Sequence, residues 1–269
     1  MTQDVDQTDA RVRPPAPDDP EIDARKWFDE HYHDAAGQIV AFLQGDEIRL
    51  EGASIADIGC GDGIIDLGVF HRADPQLLVG YDVRAIDIHA LDLAARAAGI
   101  SELPPNDRFG FMQCEEEKLP VPNDMFDVAI SWSTFEHVSR PVAMLREIRR
   151  VLKPSGVLFL QIWPLYFSQH GGHLWQSISE PFPHLQHPQH ILERRISGHG
   201  TDRSRDAIDE LRSLNRLTLD DLQRALLVAG LRPTKVELQA ETFHIPEAVA
   251  HHSLSDLAVS GVKLLAVPI

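Results

Sequence analysis

At 269 residues the chain has room for one large α/β domain or two small ones. Hydrophobic residues make up 43% and charged residues 25%, an ordinary globular composition, and no apolar run approaches the length of a membrane span. The formal net charge of −16 would repel a phosphate backbone and so argues against a nucleic-acid partner, and two cysteines, Cys60 and Cys114, are too few for a disulfide framework.

Residues 1–20 are polar, rich in Pro and Asp, and lack the apolar core of a secretory signal. They read as a disordered tail, and the chain as cytoplasmic. Residues 21–50 read as an N-terminal helical cover: Trp27, Tyr32, Ile39, Val40 and Leu43 give an apolar side, and Gly45 marks the stop. His31 and His33 are assigned to this cover.

From Ser54 short apolar runs alternate with helical stretches. SIADIG is a strand leading into a glycine turn, and LLVGYD (77–82) is a second strand. RAIDIHALDLAARAAG (84–99) is a helix ended by Gly99. FGFMQC (109–114) and FDVAISW (126–132) are the third and fourth strands. PVAMLREIRRVLK (141–153) is a helix with Pro141 near its start, Val142, Leu145, Ile148 and Leu152 on one face, and a stop at Pro154-Ser155-Gly156. GVLFLQIW (156–163) is the fifth strand. Arg149, Arg150 and Lys153 suit a helix end, where cations oppose the dipole.

Residues 164–217 break the rhythm. The stretch is rich in His, Pro and aromatics and too long for an ordinary connection, so it is expected to form a lid over a substrate. In residues 218–269, Thr218 and Asp221 form a capping box, and VELQAE (236–241) and VKLLAVPI (262–269) are closing strands. Apolar strands alternating with helices predict a doubly wound, mostly parallel sheet with helices on both faces. A ligand is then expected at the carboxyl ends of the strands, where strand order reverses.

The glycine turn is Gly59-x-Gly61-x-Gly63. A dinucleotide fingerprint would place its third glycine where Ile64 stands, and no Gly-Lys-Ser/Thr follows as in a P-loop. Asp57, just ahead of the turn, is poor company for a pyrophosphate but suits a cationic ligand. Asp82, ending the second strand, can accept from both ribose hydroxyls.

D-x-G-x-G-x-G, an acid ending strand two, an acid-rich turn before Leu-Pro, FDVAIS and E-x-x-RVLKPSG occur in this order between residues 52 and 163. Together they resemble the class I S-adenosylmethionine-dependent methyltransferases, and most of all the small-molecule type 11 domain. The resemblance implies a Rossmann-like seven-stranded sheet with an insertion after strand five, S-adenosyl-L-methionine as cofactor, and a core spanning residues 51–163. It further implies that Gly59, Cys60, Gly61 and Gly63 approach the methionine portion. Asp57 would sit near its amine, Asp82 on the ribose and Val83 on the adenine. Glu115 and Glu116 stand where the family usually has Asp-Ala at the adenine edge. Ser131, Trp132 and Ser133 would line the pocket beside the sulfonium.

Two histidines are candidate bases. Glu136-His137 resembles the E-H-V of quinone O-methyltransferases, some of which carry E-x-x-E-H and use a metal; Ser133 stands at the first glutamate position here, and no metal is expected. His173 lies in GGHLW, where Gly171 and Gly172 offer backbone freedom. His184, His187 and His190 recur every third residue, but Pro183 and Pro188 oppose a regular helix and no Cys or Asp accompanies them. The favoured function is methyl transfer to a small molecule, preferably to oxygen. A nicotinamide-dependent oxidoreductase and a non-catalytic cofactor-binding module stay open, as does a homodimer.

Overall fold

The structure, a computed structural model, describes residues 20–198 and 202–269; the expected tail lies outside the described residues up to Asp19. Seven strands form one sheet: β1 (Ser54–Ile58), β2 (Leu77–Asp82), β3 (Phe109–Gln113), β4 (Phe126–Trp132), β5 (Leu152–Ile162), β6 (Leu231–Ala240) and β7 (Val259–Pro268). Their order is β3-β2-β1-β4-β5-β7-β6. The first five run parallel, and β7 inserts antiparallel between β5 and β6. Strand order reverses between β1 and β4, which puts Ile58, Asp82 and Trp132 along one edge.

Successive strand side chains point to opposite faces, and both faces are buried. Val128, Ile130 and Phe159 pack with Ile55 against α2 (Ala36–Gln44), α3 (Ile64–Ala73) and α4 (Ile88–Ala97). Ala129, Leu158, Leu160 and Ile162 pack on the other side against α5 (Pro141–Val151) and α9 (Leu219–Val228). The N-terminal cover is α1 (Pro20–Asp29), joined to α2 by one π-helical turn over Glu30–Ala35. Gly45 ends α2 in right-handed geometry, at φ −62°, so no left-handed stop is used.

Several boundaries differ from expectation for local reasons. The helix expected from Arg84 starts at Ile88, because the Asp82 carboxylate accepts from Arg84 N at 2.9 Å and Asp87 caps Ala90 N at 3.0 Å. The helix expected to run to Lys153 ends at Val151, because Leu152, fully buried, already pairs with Phe126 in β5. Lys153 accordingly neutralises Asp127 at 2.8 Å instead of serving the helix end. Arg150 donates to the carbonyls of Leu119 and Val121, to Asn123 and to Glu147, and so clamps the loop that follows β3. The capping box of α9 forms as expected, with Asp221 N donating to Thr218 Oγ1 at 3.1 Å.

Among its described residues, the segment after β5 carries three helices: α6 (Pro183–Gln186), α7 (Gln189–Ser197) and α8 (Asp202–Ser213). Leu174, Ile178, Leu192, Ile196 and Leu211 form a small apolar cluster of their own. A short α10 (Leu254–Ala258) precedes β7. No helix among the described residues is long and apolar enough to cross a membrane.

Candidate functional site

The glycine turn follows β1 directly. Gly59, Gly61 and Gly63 have φ of 80°, 58° and 79°, and Gly63 leads into the first turn of α3. A Cβ on Gly59 would stand 2.2 Å from Thr134 Cγ2, and Thr134 Oγ1 donates to the Gly59 carbonyl at 3.2 Å. The turn is thereby pressed against the loop that follows β4, and no side chain fits between them. Cys60 is buried in this turn, and burial, with Asp66 next, pushes its thiol far above its usual range.

Asp82 is nearly buried. Its Oδ2 accepts from Gly61 N at 3.1 Å and its Oδ1 from Arg84 N at 2.9 Å, so each oxygen keeps a lone pair for a further donor. Val83 beside it is 50% exposed and presents an apolar surface at the strand edge. Below the turn, Asp57 is buried with Oδ1 unpartnered, and Asp66 of α3 is fully buried with neither oxygen hydrogen-bonded to a donor. Burial raises both carboxyls above the ordinary carboxylate range; the hydrogen bond between them draws Asp57 back down to about 7, while the Asp57 charge raises Asp66 further. A proton kept on Asp66 and offered to Asp57 satisfies the pair and leaves Asp57 as the acceptor nearer the turn. Asp66 is not marked by any of the sequence motifs; its one local signal is an acid three residues after Gly63 in an otherwise apolar first turn.

The cover reaches the same turn. Trp27 Nε1 donates to Asp62 Oδ2 at 2.7 Å, and Trp27 stacks on His31 with centroids 3.8 Å apart. Beyond β3, Glu115 and Glu116 are exposed; Glu116 accepts from Ser139 at 2.8 Å, while Glu117 is paired with Arg140. At the end of β4, Ser131 is fully buried and spends its hydroxyl on the Ile58 carbonyl at 2.9 Å. Trp132 stacks against Phe159. Ser133, at φ 46°, is bound through both N and Oγ to Gln161 Oε1. Ser131 and Ser133 thus hold the strand end in place, and Ser131 presents no free hydroxyl.

The two candidate histidines, far apart in sequence, meet: His137 and His173 pack edge to face with centroids 5.4 Å apart. Glu136 beside them is 3% exposed with both carboxylate oxygens unpartnered, and burial pushes it up to about 8. Burial, then the nearby His173, pushes His137 down to about 4. Glu136, His137 and His173 offer ligating atoms all within 4.8 Å of one another.

Helix α8 of the insertion orients both rings. His173 Nδ1 lies 2.5 Å from Glu210 Oε1, and a carboxylate there fixes the proton on Nδ1 and the lone pair on a buried Nε2. Ser213 Oγ donates to the Glu210 carbonyl at 2.7 Å, so its remaining role toward His137 Nδ1, also 2.7 Å away, is acceptor. His137 therefore carries its proton on Nδ1 as well. Asn215 completes the join, donating to the carbonyls of Phe135 and Val138 and accepting on its side-chain oxygen from Leu217 N. Glu210, Ser213 and Asn215 left no trace in the sequence pattern.

Gly171 and Gly172 act by close approach and not by backbone freedom. A Cβ on Gly171 would stand 1.9 Å from the Tyr166 carbonyl oxygen, and one on Gly172 would meet the His184 ring at 2.7 Å. His184, His187 and His190 do not converge. His184 Nε2 is bonded to the Tyr166 carbonyl, His187 to Glu180, and His190 is exposed.

Beside the glycine turn, Asp82 offers two lone pairs, Val83 an exposed apolar face and Asp57 a buried carboxylate oxygen, a set that suits a nucleoside carrying a cationic amino-acid tail. Residues 28–234 match the family model described as a methyltransferase domain. A ubiquinone biosynthesis O-methyltransferase of Caulobacter vibrioides is 30% identical over 111 residues, 41% of this chain and 40% of that protein. The chain spans less than half the length of the curated relatives it matches. Among solved structures, an S-adenosylmethionine-dependent methyltransferase from Mesorhizobium loti shares the fold with a TM-score of 0.52 at 19% identity, covering 84% of this chain and 95% of that one. The magnesium protoporphyrin IX methyltransferase of Synechocystis, with S-adenosylhomocysteine bound, gives a TM-score of 0.51 at 15% identity, covering 95% and 90%.

Proposed function

The chain belongs to the methyltransferase-domain family as a class I S-adenosylmethionine-dependent enzyme, and from that premise we propose that it methylates an oxygen of a small-molecule acceptor. The observation that carries this reading is the pairing of His173 with Glu210, which leaves an imidazole lone pair buried beside Glu136 and His137 at the end of β4. A hydroxyl must lose its proton to become a good nucleophile, whereas a neutral amine carries its own lone pair, so a built proton acceptor favours oxygen. The name of the Caulobacter relative supports the same choice.

S-adenosylmethionine, when bound, supplies a methyl group on a sulfonium. Asp82 would hold its ribose, Val83 and Glu115 would meet its adenine, and Asp57 would meet its amino-acid end, with Trp27 tied to Asp62 beside the turn; the amides of Gly59, Cys60, Gly61 and Gly63 already donate within the protein and shape the turn. In the metal-free protein His173 Nε2 takes the acceptor proton while Glu210 steadies the ring. The acceptor oxygen so freed of its proton would be the nucleophile to which the bound cofactor gives up its methyl group, the carbon–sulfur electron pair staying with sulfur. Trp175, whose ring packs on Trp163 and stands 5.5 Å from the His173 ring, puts an aromatic surface beside that base. Methyl transfer from radiolabelled cofactor to a panel of phenols, quinols, sugars and amines tests this. Transfer to hydroxyls, reduced about 100-fold or more by His173→Ala, is expected; transfer only to amines, or a variant within threefold of wild type, would refute it.

A further inference from the structure

We propose that Glu136, His137 and His173 form a binding site for a first-row divalent metal ion of the zinc type, assembled from the β4 loop and the insertion together. Three observations point there. Their ligating atoms lie within 4.8 Å of one another. Donors on a common tetrahedral ion stand about 3.4 Å apart, so small rotations of three side chains close the site. Glu136 is a buried carboxylate with both oxygens unpartnered, and an unpaired buried carboxylate is costly unless a cation or a proton meets it.

The third observation is the support behind the ligands. Both histidines are tied through Nδ1 to α8, His173 to the Glu210 carboxylate and His137 to the Ser213 hydroxyl. Both lone pairs are therefore on Nε2. A carboxylate behind a ligating imidazole fixes its tautomer and raises its basicity, the usual arrangement around a histidine that holds a metal. Two imidazoles and one carboxylate suit zinc, cobalt, nickel or iron better than magnesium, which prefers oxygen donors. Three protein ligands leave a fourth position open.

Ser133 takes no part, since its hydroxyl is bound to Gln161. The spacing within the β4 loop supplies only two ligands, and the third comes from 36 residues further along the chain. An acceptor hydroxyl in the open position would give up its proton to solvent more easily, its O–H electron pair staying on oxygen beside the ion. Binding of the ion is independent of the acceptor; its use in catalysis rests on the proposed transfer to oxygen.

The test is Co2+ titration of the chelator-treated full-length protein, followed by visible absorption and by metal analysis after gel filtration. About one tightly held equivalent with the intense absorption of a low-coordinate site is expected. His137→Ala and His173→Ala should each weaken it more than about 100-fold, and Glu210→Gln, which keeps the ligands, about 10-fold. The exposed His190→Ala should bind as wild type does. Circular dichroism of each variant separates ligand loss from misfolding, and Glu136→Gln gives an isosteric second probe. Absence of a stoichiometric site, or a site that survives both histidine variants, overturns the inference, while transfer to hydroxyls by metal-free protein leaves the proposed function standing. Bound cobalt lost in both variants, with no transfer to any hydroxyl, upholds the site and removes the oxygen-acceptor reading.

Discussion

Replacing Asp82 by alanine isolates the contribution of one carboxylate to cofactor binding. Asp82 is nearly buried, and each of its oxygens already accepts one backbone N–H, from Gly61 at 3.1 Å and from Arg84 at 2.9 Å. Each keeps one lone pair, so the side chain has capacity for the two adjacent hydroxyls of a ribose. Hydrogen bonds to a charged group contribute about 1.5 kcal/mol each at the lower end of their range, and two give about 3 kcal/mol. That corresponds to roughly a 100-fold rise in the dissociation constant. Asp82→Asn keeps an acceptor and the shape but loses the charge, and should cost roughly 10-fold. Isothermal titration with S-adenosylhomocysteine at fixed ionic strength measures both, and thermal melts verify that the turn survives without its two backbone bonds. A dissociation constant within threefold of wild type for a folded Asp82→Ala protein would refute the assignment of the ribose to this residue.

Other perturbations separate stability from chemistry. Asp66→Asn removes one member of the buried carboxyl pair; because burial raises the folded-state values, the wild-type pair contributes stability below about pH 4 and loses it as pH rises. Urea unfolding should therefore show the variant gaining on wild type between pH 5 and pH 8, and a gap that does not change with pH would contradict this. Arg150→Ala strips donors from the Leu119 and Val121 carbonyls and leaves Glu147 uncompensated, and should cost about 2 kcal/mol in urea unfolding, with Arg150→Lys recovering only part. Gly171→Ala pushes a methyl into the Tyr166 carbonyl and displaces His173, so kcat should fall more than about 10-fold while cofactor affinity stays unchanged. A parallel loss of both would show that the two halves of the site are not separable there.

The residues proposed for the donor half could be picked out because they lie on regular elements and answer to local rules. The extent of β2 and β4, Asp57 and Asp82 at strand ends, and the Thr218 capping box all follow from short-range pattern. The RVLKPSG stretch was legible as a motif but not as a device. Nothing local says that Arg150 reaches back to the loop after β3, or that Leu152 has left the helix to pair with Phe126. Asp66 was passed over because an isolated acid on a short helix looks like solvent-facing charge, and only the packed structure shows it sealed beneath the turn. The acceptor half was read as two histidines without their partners. Glu210 and Ser213 lie on a polar helix whose apolar residues, Ala207, Ile208 and Leu211, show their period only once α7 is there to receive them. Gly171 and Gly172 were read for flexibility, when each is a place where two chains touch.

Helix α8 has a consequence for how this enzyme can change. The donor half is made by strand ends of the sheet, while one turn of α8 sets the proton positions of both imidazoles in the acceptor half. The two halves are held by different physical means: one by the core, the other by a surface helix joined to the loop after β4 by Asn215. On the function proposed above, substitutions along α8 would change how the acceptor is deprotonated, while the affinity for the methyl donor stays the same. A single protease cut within the insertion would silence methyl transfer and leave a folded protein that still binds its cofactor.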